Sequence, residues 1–88
     1  MPFQVTIRKK VLKGLPELPA NIQKKFWILV HDLQTLGPKL PHWPNYSPLG
    51  KVTYHCHLSY SWIACWRCEQ QSVEIEVYYA GSREDAPY

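Results

Sequence analysis

Residues 51–79 read KVTYHCHLSYSWIACWRCEQQSVEIEVYY, and the way this stretch divides decides the fold. β-branched and aromatic residues dominate it, and the run breaks at Ser59-Tyr60-Ser61 and again at Glu69-Gln70-Gln71. Such residues pack well on a pleated surface, and short polar breaks between them are turn signals. The expectation is three strands, 52–58, 62–68 and 73–79, joined by tight turns into an antiparallel meander. In the last strand Val73, Ile75, Val77 and Tyr79 alternate with Glu74, Glu76 and Tyr78. Two carboxylates in a row of alternate positions are costly to bury, so the Val73 set is expected to face a core and the glutamates an open face.

Working back from the meander, residues 37–51 hold Pro38, Pro41, Pro44 and Pro48 with two glycines, which predicts an irregular loop pinned by Trp43 and Tyr46. Before it, Ile22, Phe26, Leu29, Val30, Leu33 and Leu36 recur every three or four residues up to Gly37-Pro38. That is an amphipathic helix with a stop signal, and Pro19 suits its first turn. Residues 9–15 are basic, with Val11, Leu12 and Leu15 at helical spacing, and predict a short helix ending near Gly14 and Pro16. Phe3, Val5 and Ile7 alternate with polar neighbours and predict a first strand. The order β-α-α-β-β-β gives an α+β domain, with two helices packed on one face of a small antiparallel sheet.

Eighty-eight residues permit one domain, 1–88, with room for a single sheet and few helices. Hydrophobic content of 45%, with four Trp and six Tyr, excludes a disordered chain, and no apolar run is long enough to span a bilayer. The start, Met1-Pro2-Phe3-Gln4, lacks the basic and apolar regions of a signal peptide, and three cysteines make a poor disulfide scaffold. Both point to the cytoplasm. Nine of the ten Lys/Arg lie in residues 1–68 with only Glu17 and Asp32 opposing them, whereas residues 69–88 hold five acids and Arg83. A basic body fits an anionic partner.

His55-Cys56-His57 lies inside a strand, so both imidazoles share one face and Cys56 takes the other with Tyr54 and Leu58. Imidazole exchanges protons and stabilises phosphate near neutral pH, which gives this pair its catalytic interest; two solvated strand histidines are the plain alternative. Cys65-Trp66-Arg67-Cys68 has CxxC spacing, but residues three apart on a strand point to opposite faces, which disfavours zinc or redox chemistry. Trp62, Ala64 and Trp66 form an alternating set that either stacks on unpaired bases or packs against the Trp43 and Tyr46 loop. Arg8, Lys9, Lys10, Lys13 and Lys51 are candidate phosphate contacts, and equally a solvated basic face. Gly-rich phosphate loops, GxSxG and HExxH are absent from the sequence, which disfavours nucleotide hydrolysis and zinc proteolysis.

Taken together, Arg8-Lys9-Lys10 after the first strand, the long amphipathic helix, the Pro-rich loop, YHCHLSYSWIACW and the closing IEVYYAGSREDAPY resemble the RelE/ParE superfamily of bacterial type II toxins, in particular its RelE-like translational repressors. The resemblance implies two helices on a small sheet, metal-independent mRNA cleavage on the ribosome, and an acidic cognate antitoxin in a hetero-oligomer. It places His55 and His57 at strand positions where relatives carry basic residues, Arg83 at the arginine after the last core strand, and Tyr88 at the terminal tyrosine region. Trp62 falls where some relatives carry another arginine, a role that Arg67 or Lys51 would then fill, and Ser82 where relatives can carry histidine. A ParE-like gyrase inhibitor and a non-catalytic RNA-binding domain are the alternatives.

Overall fold

A computed structural model of the chain describes residues 2–88. In chain order the elements are β1 (Gln4–Ile7), α1 (Lys9–Gly14), a 3-10 turn (Leu15–Glu17), α2 (Ala20–Leu36), β2 (Ser47–Pro48), β3 (Thr53–Ser59), β4 (Trp62–Arg67) and β5 (Glu74–Ser82). They build the α+β architecture expected, with both helices on one side of one sheet.

The sheet runs β1-β5-β4-β3-β2. The β3-β4-β5 meander is antiparallel, as its short turns require. Two features differ from the sequence reading. β1 joins the far edge parallel to β5, with Val5 opposite Ile75 and Ile7 opposite Val77, so the sheet is mixed. The helices between β1 and the meander carry the chain back across the sheet, which frees β1 to run with β5 instead of against it. Inside the proline-rich loop, Ser47 and Pro48 pair with His55 and Tyr54 as a two-residue edge strand. Proline is tolerated there because an edge position does not require every N–H.

α2 buries Ile22, Phe26, Leu29, Val30 and Leu33 against Tyr54, Cys56 and Leu58 of β3, Ala64 and Trp66 of β4, and Ile75 and Val77 of β5. It stops at Gly37, whose φ of +92° is open to glycine alone; a Cβ there would stand 2.7 Å from the Phe3 ring. Pro38 follows, and its carbonyl accepts the Trp66 indole N–H at 2.9 Å. Tyr46, Tyr54 and Trp66 stack pairwise with centroids 6.2 Å apart, so the loop is pinned by the aromatic contacts expected of Tyr46. Trp43 donates to the Asp32 carboxylate at 2.8 Å, tying the same loop to α2. No helix among the described residues is long and apolar enough to cross a membrane.

Trp66 therefore needs correcting as a base-stacking residue. It is fully enclosed in the core, with its one polar atom already bonded. Register forces this: Trp66 lies opposite Tyr54 and Ala64 opposite Cys56, and cross-strand partners share a face. The expected helix-facing set of β5 also changes at both ends. Val73 precedes the strand and is 54% exposed, and a bulge pairs Trp66 with Val77 but Cys65 with Tyr79. The extra residue, Tyr78, reverses the alternation, so Ala80 turns to the core and Tyr79 joins the opposite face.

Candidate active site

The face away from the helices is built in cross-strand rows. Ser47, His55, Cys65 and Tyr79 follow one another across β2, β3, β4 and β5, and His57, Ile63 and Gly81 form the next row. Its centre is not open. Ile63 and Cys65 are fully buried, and His55 and His57 are only 8% and 9% exposed. Part of the cover is the C-terminal segment, whose Tyr88 ring lies over His55 at 4.7 Å between centroids.

The two imidazoles stand side by side as strand alternation requires, 5.9 Å apart and inclined at 59°. His55 Nδ1 lies 3.2 Å from the Ser47 hydroxyl and 3.3 Å from the Ser47 carbonyl oxygen. A carbonyl only accepts, so a proton on Nδ1 satisfies both neighbours and leaves Nε2 as the ring's basic atom. Burial pushes the His57 pKa down, and the nearby His55 and Arg83 charges push it further the same way. His57 is thereby held neutral at physiological pH, in the form that accepts a proton.

Arg83 follows β5 directly. Its N–H donates to the Ser61 carbonyl at 2.8 Å, and its guanidinium sits 4.7 Å over the Tyr60 ring. The site floor is further fixed by the Tyr79 hydroxyl, which donates to the Ser82 carbonyl at 2.6 Å. Burial raises the Tyr88 and Tyr79 hydroxyl pKa values, so both phenols stay protonated as donors at neutral pH. Burial likewise pushes the Cys65 thiol up to about 12, making it an unreactive thiol under the histidines. Cys68 packs on the core side of the sheet, so the CxxC pair is split between faces. Among the described residues no three His, Cys, Asp or Glu side chains form a group able to hold a metal ion.

The fold thus gathers His55 and His57 of β3 with Tyr88, and Arg83, just after β5, is near enough for its charge to act on His57. The basic candidates are spread around them. Arg8 is bound to Glu76 at 3.1 Å and lies 5.6 Å over the Tyr78 ring. With Lys10 it lines a cleft of about 350 Å³ whose other wall includes Asp85 and Pro87 of the C-terminal segment. Lys9 and Lys13 are exposed on α1. Lys51 lines a separate cavity of about 630 Å³ beside Phe3, Tyr46 and Tyr54, which shares no residue with the histidine cluster. Arg67 is on the histidine face but forms an ion pair with Glu69. Trp62 is half-buried, packed on the core edge, with Tyr60 and Arg83 beside it in a third cleft. Ser47 and Tyr60 escaped the sequence reading, Ser47 because its pairing crosses a proline-rich loop and Tyr60 because it marks a turn.

Solved structures with a similar fold include several toxins. The RelE of an archaeal RelE-RelB complex from Pyrococcus horikoshii superposes with a TM-score of 0.77 at 18% identity, over 98% of this chain and all of that one. A metal-bound toxin from Helicobacter pylori gives 0.73 at 24% identity, over 94% and 97%. The chain has the RelE/ParE-like toxin fold. The isolated Escherichia coli RelE toxin gives a TM-score of 0.72 at 14% identity, over 97% of this chain and 88% of that one. No family model matches the sequence, and no curated protein matches it. The RelE-like fold places the histidine face on the side of the sheet that the helices leave uncovered.

Proposed function

We propose that this protein is the toxin of a type II toxin-antitoxin system and an endoribonuclease that cleaves mRNA on the ribosome, inhibiting translation. The observation that carries the reading is the clustering of His55, His57 and Tyr88 on one sheet face, with the Arg83 charge near enough to act on His57. A toxin role is further supported by the RelE-like fold, and a cognate antitoxin partner by the RelE-RelB and YoeB-YefM complexes among its structural neighbours. The exposed lysines of α1 suit an acidic segment that folds on binding. An mRNA substrate puts the protein in the cytoplasm.

In this mechanism the RNA supplies its own nucleophile. One of His55 and His57 takes the 2′-OH proton, the 2′ oxygen bonds to the adjacent phosphorus, and the P–O5′ bond breaks. A neutral His57 suits the base role. His55, carrying a second proton when charged, or the Tyr88 hydroxyl returns a proton to the leaving 5′ oxygen. Arg83 stabilises the added negative charge on the pentavalent phosphate. The products are a 2′,3′-cyclic phosphate and a 5′-OH end, and the nucleophile requires no metal-bound hydroxide.

The test is a reconstituted translation reaction with mapping of new mRNA 5′ ends, run beside Arg83→Ala. New 5′-OH ends at ribosome-bound codons, lost in the variant, are the expected result. 5′-phosphate ends, or activity unchanged in both Arg83→Ala and His55→Ala, would refute the chemistry. Intact mRNA with broken DNA would transfer the protein to the gyrase-inhibiting alternative.

A further inference from the structure

The turn joining β3 to β4 and the turn leaving β5 meet over the end of the sheet. Between them is a cleft of about 280 Å³, lined by Tyr60, Ser61, Trp62, Ser82, Arg83 and Glu84. That is below the roughly 300–1,000 Å³ of drug-sized sites and suits a single flat ring system. Tyr60 is 77% exposed although it is a large aromatic, and the Arg83 guanidinium carbon lies 4.7 Å from its ring centroid. Aromatic rings and arginine planes are the two protein surfaces on which nucleobases stack.

The cleft is held in shape before any ligand arrives. Trp62 is in register with Ser82, and the Arg83 N–H bonds to the Ser61 carbonyl. The Ser82 hydroxyl donates to the Asp85 carboxylate at 3.1 Å and accepts the Asp85 N–H at 3.3 Å, closing the turn that carries Glu84. Asp85 is therefore engaged within the turn. Glu84 is exposed and makes no ion pair among the described residues.

We propose that this cleft is a nucleobase subsite selective for guanine. A carboxylate accepts hydrogen bonds through two oxygens and donates none, so it selects an edge with two adjacent donors. Guanine alone presents one, its N1–H and N2–H₂; adenine, cytosine and uracil each offer a donor beside an acceptor. Tyr60 supplies the stacking face, Glu84 reads the edge, and Arg83 spans the boundary between this base and the phosphate beside the histidines. The subsite deepens the nuclease reading and rests on it for its place in the reaction, because Arg83 is common to both.

The experiment reads binding without turnover. Guanosine 3′-monophosphate and its adenosine, cytidine and uridine counterparts are titrated into the whole 15N-labelled protein while the amide signals of Ser61, Ser82 and Arg83 are followed. The guanosine nucleotide moves those signals and binds about tenfold more tightly than the other three. Glu84→Ala abolishes that preference and retains the affinity common to all four, whereas Tyr60→Ala weakens all four about fivefold or more. Both side chains are exposed, and unchanged signal dispersion elsewhere confirms that the variants fold. Equal binding of the four nucleotides, shifts confined to other residues, or a preference that survives Glu84→Ala would overturn the assignment. Guanosine binding in a protein that leaves mRNA intact refutes the nuclease and keeps the subsite. Cleaved mRNA with no guanosine preference refutes only the subsite.

Discussion

The Tyr88 ring stands 4.7 Å from the His55 imidazole, centroid to centroid, at an angle of 53°. The contact joins the end of the chain to the middle of β3, and it covers a histidine that is only 8% exposed. Tyr88 itself is 57% exposed, so it adds a lid atom set to His55 while contributing little to the core. Replacing it separates site function from stability. Tyr88→Ala lowers single-turnover mRNA cleavage about tenfold or more and changes stability by less than about 0.5 kcal/mol. Tyr88→Phe, which keeps the ring, distinguishes stacking from proton donation: retained activity assigns Tyr88 to stacking, and a loss equal to that of alanine assigns it to the hydroxyl.

His57 titrates below an ordinary histidine because it is buried beside His55 and Arg83. Since the folded pKa is depressed, the unfolded chain binds a proton on this residue that the folded chain refuses. Stability from this residue is complete above the unfolded value of about 6.5 and falls as pH drops from there to the folded pKa, below which the loss is constant. In a histidine-resolved NMR titration Arg83→Gln moves the His57 midpoint upward, and so does His55→Gln. A midpoint unmoved by Arg83→Gln would show that the guanidinium does not act on this ring.

Trp66 lies four residues beyond Trp62 on the same strand, with Ala64 between them on the same face. Trp66→Ala removes a fully enclosed side chain and leaves the Pro38 carbonyl without its donor, costing about 3–5 kcal/mol in denaturant unfolding. The folded fraction keeps its RNA affinity, measured by fluorescence anisotropy at a temperature well below the transition. Reduced affinity per folded molecule would put Trp66 back at the RNA surface.

At the end of α2, Gly37→Ala meets two penalties, a φ of +92° and a Cβ 2.7 Å from the Phe3 ring. The expected cost is about 1–3 kcal/mol. Because Phe3 is the clashing group, adding Phe3→Ala recovers the steric part only. In a double-mutant cycle of unfolding free energies the two changes are therefore less than additive. Strict additivity would assign the whole cost to backbone conformation.

The sequence carried some of this plainly. In α2 the spacing of Ile22, Phe26, Leu29, Val30 and Leu33 identifies the helix and its buried stripe, whereas Leu36, expected on the same stripe, is exposed at the helix end, as are Trp27 and Ile28 within the helix. In β3 two histidines alternate with Tyr54, Cys56 and Leu58, and the contrast in polarity identifies the faces. β4 lacks that contrast. Ile63, Ala64, Cys65 and Trp66 are all apolar and all buried, two against the helices and two beneath the site, so neither parity announces its side. The β5 bulge and the parallel pairing of β1 are set by partners far along the chain, which local pattern does not encode. The side-by-side placement of the two histidines was readable from strand alternation. Ser47 and Tyr60 depended on which loops meet in space.

The bulge at Tyr78 gives β5 two reading frames. Up to Val77 the strand's odd-numbered residues serve the hydrophobic layer; from Tyr79 onward the even-numbered Ala80 does so and the odd-numbered ones serve the site. Deleting Tyr78 leaves the composition nearly unchanged but merges the frames. Val77 would stay opposite Trp66 and Tyr79 opposite Cys65, so the alternation becomes continuous and the arginine keeps its register with the β3-β4 turn. One inserted residue thus acts as a phase shifter: it changes which parity of β5 faces the hydrophobic layer without changing the β4 partners that either half meets.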